Sequence, residues 1–303
     1  MAFQVSPGVQ VKEIDLTNVV PAVSTSIGGF VGAFSWGPAE EIRTVSSEKE
    51  LVNTFGSPND TTAKSFFTAA SFLKYATALK VVRVVPDGSG GSTTAKNSTS
   101  GSGGNVGLLI KNRQSYEDSY EGGSANVGVW GAKFPGVLGD SLRVEVCSSS
   151  SAFTGWAYAG EFDKAPGTSE YAAKYGSSAD ELHIVVLDED GLISGTKNTV
   201  LEKFAFISQA SDAVKADGTS NYYKNVIFTN SKYVFAMDPI SYSSTNASWG
   251  KTYQQILQAS LTGYQKLAAS VGIGDASLSG GVDAVPAAAD LENAYALFAN
   301  KDY

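Results

Sequence analysis

The chain has 303 residues, 43% apolar and 17% charged, with a formal net charge of −8, an isoelectric point near 4.8 and a mean hydropathy of −0.06. These values exclude a disordered chain and a membrane bundle, and the lack of clustered Lys and Arg argues against direct nucleic-acid contact. A single cysteine, Cys147, excludes an intrachain disulfide framework and a cysteine-built zinc cage, and a single histidine, His183, leaves little for acid–base catalysis.

The length suggests two compact units and a linker. A surface built from Ser, Thr, Asn and Gly in place of Lys and Glu is a habit of proteins packed among copies of themselves. No basic and apolar leader opens the chain, and its longest apolar stretch, "VVPAVSTSIGGFVGAFSW", is broken by Pro, Ser and Gly. A soluble chain made in a cytosol, without membrane insertion, is the expectation.

Residues 1–21 read as an arm. "SPGVQVKEIDL" alternates with Val9 and Val11 on one face and Ile14 and Leu16 on the other, and Lys12 and Glu13 mark a bulge or kink between them. Pro7 and Gly8 punctuate its start and Pro21 its end. Residues 22–87 read as a layered α/β unit. In "SIGGFVGAFSWGPAEEIRTV" a strand carrying Ile27, Val31 and Phe34 among glycines implies close backbone approach by neighbours, and Gly37 and Pro38 end it. "SSEKELVNTFG" places Ser47 and Glu50 at capping-box spacing, with Leu51 and Phe55 on one face and Gly56 as a stop. A second helix follows with Phe66, Ala70, Leu73 and Thr77 on a stripe, and then "LKVVRVV", a strand covered on both faces.

Residues 88–128 are rich in Gly, Ser, Thr and Asn and read as a linker with a reduced insertion, expected to be mobile from about 88 to 106. Residues 129–280 read as a mostly β middle domain with some helix. It contains a strand with Leu142, Val144 and Val146 alternating, "ELHIVVLDEDGLISG" as a hairpin, "NTVLEKFAFISQ" beyond it, and a helix from Thr252 to Val271. Residues 281–303 return to the first unit through a helix capped by Asp290, and the sequence stops soon after Leu297 and Phe298, before that unit is complete. The fold class is α+β and multidomain: an incomplete layered α/β core, an N-terminal strand arm and an inserted middle domain.

No catalytic, cofactor-binding or metal-binding residue emerges. His183 lies inside an apolar strand and reads as a packed or hydrogen-bonded sheet residue, and Cys147 as a buried thiol. Asp188, Glu189 and Asp190 before Gly191 are adjacent, where a calcium loop needs alternate ligands and a distal Glu, so a hairpin turn accounts for them. The glycine-rich stretch from Gly88 to Gly107 lacks the Lys, hydroxyl and helix start of a phosphate cradle. A hydrolase built on paired carboxylates is the rival class, and only the presence of acidic residues supports it.

Six blocks in order, "SPGVQVKEID", "FVGAFSWGPAEEIRTVSSEKELVNTFG", "FLKYATALKVVRVV", "AKFPGVLGDSLRVEV", "HIVVLDEDGLISG" with "VLEKFAFIS", and "LSGGVDA", resemble the tail sheath proteins of contractile-tailed bacteriophages. The resemblance spans the N-terminal part of a sheath subunit, whose second half would complete the core. It implies a structural, non-enzymatic subunit of the virion tail, made in the host cytoplasm. Such subunits stack as hexameric rings around a tube and contract to drive the tube through the host envelope. It implies as partners other copies of the chain, the tail tube protein, and baseplate and tail terminator proteins. It also implies that the arm adds a strand to a neighbouring copy through Ser6, Pro7, Gly8, Val9, Val11, Glu13, Ile14 and Leu16, with Val9 and Val11 as plugs. The sheath of a tailocin or of a contractile secretion system shares these features and remains the alternative origin.

Overall fold

A computed structural model describes residues 27–88, 93–101, 107–121, 127–176, 178–210, 212–237 and 273–299. The arm at residues 1–21 and the helix expected from Thr252 to Val271 lie outside these. The first unit contains β1 (Ile27–Gly32), β2 (Ile42–Val45), α1 (Glu48–Phe55), α2 (Ala63–Leu73) and β3 (Ala78–Arg83). The Ser47 hydroxyl accepts the Glu50 N–H and starts α1, while the Glu50 carboxylate reaches back to the N–H and hydroxyl of Ser46. The reciprocal cap is therefore shifted one residue outward from the simple box. Gly56, at φ 77°, ends the helix in a left-handed conformation that suits glycine.

The strands are ordered β1-β3-β2, with β1 parallel and β2 antiparallel to β3. On one face Leu51, Phe55, Phe66, Ala69 and Ala70 from α1 and α2 pack on Leu79 and Val81. On the other, Val31, Val82 and Val84 meet Ala294, Leu291, Leu297 and Phe298 near the end of the described chain. Burial from both sides explains the continuous valine run of β3. The sequence reading had no place for β2, a four-residue strand behind two glutamates.

Next come α3 (Arg113–Ser119), β4 (Trp130–Ala132), a 3₁₀ turn (Val137–Ser141), β5 (Leu142–Cys147), α4 (Ser150–Phe153), α5 (Glu170–Lys174), β6 (Glu181–Asp188), β7 (Thr199–Ser208), α6 (Tyr223–Asn230), β8 (Val234–Ala236), β9 (Ile273–Ser277) and α7 (Ala288–Ala296). Strands β7-β6-β5-β9 form an antiparallel sheet, and β4 pairs with β8. Leu142, Val144, Val146, Leu182, Ile184 and Val186 face a core shared with Trp130, Tyr223, Ile227 and Val234. Cys147, Val185 and Leu187 face the opposite side beneath Trp156 and Phe162. Both faces of β6 are thus dry, which is why it does not alternate. The Asp290 carboxylate accepts the Ala287 N–H, so it caps α7 from inside the first turn.

Two expectations are corrected. Within the stretch read as a linker, residues 95 and 97–99 are buried. The Asn97 amide donates to the carbonyls of Ile110 and Ala132 and its oxygen accepts the Ile110 N–H. Lys96 bridges to Val282, and Thr99 bridges to both Gly131 and Ser279. Polar side chains that look solvated in sequence are here spent on main-chain partners. The "DEDG" hairpin turn is also not tight. Asp188 ends β6, β7 starts at Thr199, and the buried Asp188 carboxylate organises the connection by accepting bonds from Ser141, Ile193 and Ser194. Burial raises its pKa, but these hydrogen bonds outweigh it and hold the carboxyl below its usual range.

Candidate functional site

The single histidine and the single cysteine are committed to the fold. His183 is fully buried, its ring stacked 4.2 Å from that of Phe162. Its Nδ1 accepts the N–H of Phe206, which fixes the proton on Nε2 for donation to the Lys164 carbonyl. Phe206 has φ 52°, at a register shift where β7 bulges past β6. The imidazole closes that bulge, and burial pushes its pKa below the ordinary value. Burial likewise pushes the Cys147 thiol up and away from the reactive thiolate. Among the described residues, no group of three His, Cys, Asp or Glu side chains is placed to hold a metal ion, and no helix is long and apolar enough to cross a membrane.

A groove of about 920 Å³ is lined by Trp36, Arg43, Phe134, Leu192, Lys133 and Asp283. Lys133 is the perturbed group there: burial lowers its pKa to about 8 against the opposing pull of Glu202. Its ammonium donates to the Ser231 carbonyl and sits 5.1 Å over the Phe235 ring, so it faces structure and not an incoming ligand.

Among the described residues, the β1 side of the first sheet offers main-chain groups without a strand partner. No described strand pairs with β1 opposite β3. Its sequence, "IGGFVG", has neither a charge nor a proline, the two devices that keep exposed edges from pairing. The other edge differs: β2 is four residues long and carries Arg43, in an exposed ion pair with Glu41 at 2.8 Å. Among the described residues, edge β1 is open and edge β2 is guarded. Beside β1 the surface is apolar, with Ile27 60% exposed and Phe72, whose ring lies against Gly28, 38% exposed. Gly28 has a steric reason, since a Cβ there would lie 2.5 Å from the Phe72 ring, whereas one on Gly29 would make ordinary contact with the Phe298 ring at 3.5 Å. The close approach read from those glycines is present at Gly28.

The expected interface residues Ser6, Pro7, Gly8, Val9, Val11, Glu13, Ile14 and Leu16 lie outside the described residues. What the sequence reading missed is the uncharged β1 edge. Its signal was a strand of glycine and apolar residues with no charge.

Residues 25–84, which contain this edge, match the family model described as the tail sheath protein Gp18 domain III N-terminal region. Over that stretch the chain is similar to tail sheath proteins. It is 33% identical over 201 residues to the tail sheath protein of Salmonella phage ViI, 66% of this chain and 28% of that one. It is 47% identical over 94 residues to the tail sheath protein of Vibrio phage KVP40, and 44% over 94 residues to that of Enterobacteria phage T4. Those matches span 13% and 14% of the relatives, so the chain covers well under a third of their length. Two solved sheath tail proteins, from Listeria innocua and Desulfitobacterium hafniense, align over 91% and 100% of this chain and 38% and 43% of theirs. Their TM-scores are 0.43 and 0.40, at 13% and 12% identity. The tail sheath family is structural, not enzymatic. The chain is α+β, as the sequence indicates, and its kinship is with phage tail sheaths.

Proposed function

We infer that the chain is a structural subunit of a contractile tail sheath. Copies polymerise as stacked hexameric rings around the tail tube, between a baseplate and a tail terminator, and contract to drive the tube through the host envelope. The first unit is one part of a layered core, and the arm at residues 1–21 is the strap by which each copy holds the next. The observation that carries this reading is the β1 edge, which no other described strand covers, uncharged and flanked by exposed Ile27 and Phe72, inside the stretch that matches the sheath domain. An incoming strand gains main-chain hydrogen bonds along such an edge, and its alternate side chains find the apolar surface beside it. Val9 and Val11 supply those side chains from a second copy.

Deleting residues 1–16 tests the assignment. The expected product is a folded chain that no longer self-associates, as sedimentation and electron microscopy would record, because the remaining sheets keep their own cores. Regular tubes from the truncated protein would show that the arm is not the connector. Loss of folding would show that the arm belongs to its own domain.

A further inference from the structure

Several of the quoted sequence blocks, far apart in the chain, meet at one point between the two sheets. Arg83, the last residue of β3, is 3% exposed. Its Nε donates to the Phe34 carbonyl at 2.9 Å, one terminal nitrogen to that of Gly37 at 2.7 Å, and the other to that of Pro135 at 2.6 Å. The first two carbonyls follow β1 and the third precedes the 3₁₀ turn before β5, so one guanidinium fork ties the first unit to the middle one. Burial lowers its pKa to about 10, with the negative charge of Asp283 opposing, so it stays cationic at neutral pH.

The backbone around the fork leaves no room. A Cβ on Gly136 would lie 2.6 Å from the Asp283 carboxylate, which accepts the Val137 N–H at 3.1 Å. One on Gly281 would lie 2.4 Å from the Gly136 carbonyl, while the Gly281 N–H donates to Asp140 at 2.8 Å. Trp36, on the first unit's backbone, inserts its ring into the middle unit's core, 5.4 Å from Phe134. Beside this point the units part into the 920 Å³ groove, and further along Ala39 and Val85 pack with Ala95, the Ala39 N–H donates to the Lys111 carbonyl and the Asn112 amide donates to that of Ala39.

We propose that the contact centred on Arg83 is a fixed joint that makes the first unit and the middle unit one rigid body. The joint is a property of the chain by itself and stands whether or not the chain builds a sheath. Where it does, rearrangement between rings is carried by contacts between copies, and the angle between these two units stays constant.

The intact chain can be tested by NMR and calorimetry. The Arg83 Nε–H should exchange with water within about tenfold of the β3 and β5 amides, and thermal unfolding should be a single transition. Faster exchange, or two transitions in the unaltered chain, would overturn the joint. Arg83→Lys keeps the charge but cannot span three carbonyls, and is expected to split the transition in two. A folded Arg83→Lys chain that retains one transition would also overturn it. If that variant does not fold, the two measurements on the unaltered protein decide.

Discussion

His183 shows how one side chain can serve a fold at three points at once. It stacks on Phe162, accepts from Phe206 and donates to Lys164, and the Phe206 bond closes a bulge that would otherwise leave a main-chain N–H unpaired. Replacing it with Ala removes a buried ring and strands two polar groups, so His183→Ala should lower stability by about 2–4 kcal/mol in denaturant titration. The pH dependence has a definite sign. The folded pKa is depressed below 6.5, so in acid the unfolded chain binds the proton more readily. The His183 contribution is therefore present above about pH 6.5 and lost as pH falls through the lowered folded value. A folding stability that followed the same pH profile in the wild type and in His183→Ala would contradict this account of the ring.

Elements differ in how openly they announce themselves. Helix α1 is legible because its signals are local: Ser47, Glu50, Leu51 and Gly56 lie within ten residues and act on one another. The buried run at residues 95–99 is not, because Asn97, Ser98 and Thr99 look like linker until Ile110, Ala132 and Ser279 are brought to them. Arg83 gave a partial sign, since a lone charge inside "VVRVV" must find partners, but which carbonyls it finds depends on loops about 50 residues away on either side. The contrast between the two edges of the first sheet leads to a prediction at this scale. Placing a charge on the open edge should copy the guard that Arg43 provides to β2. Ile27→Lys, at an exposed position, should change stability by no more than about 0.5 kcal/mol while weakening self-association measured by sedimentation. Unchanged association in a folded Ile27→Lys chain would mean that β1 is not a receiving edge.

For the whole molecule, the α+β class and the sheath kinship were legible in the sequence. The meeting of Arg83 with the carbonyls of Phe34, Gly37 and Pro135 was not, since it is assembled from segments that only the fold brings together. The account's central claim is that residues near Val9 of one copy lie along β1 of another. The most direct measurement mixes two samples: chains spin-labelled at Val9→Cys, with the native Cys147 protected by burial, and unlabelled chains enriched in ¹⁵N. Only contacts between copies can then broaden the observed amides. The account predicts broadening that centres on Gly28 to Gly32 and fades toward β2. Broadening confined to the labelled chain itself, seen when label and isotope share one molecule, or broadening centred elsewhere on the partner, would contradict it.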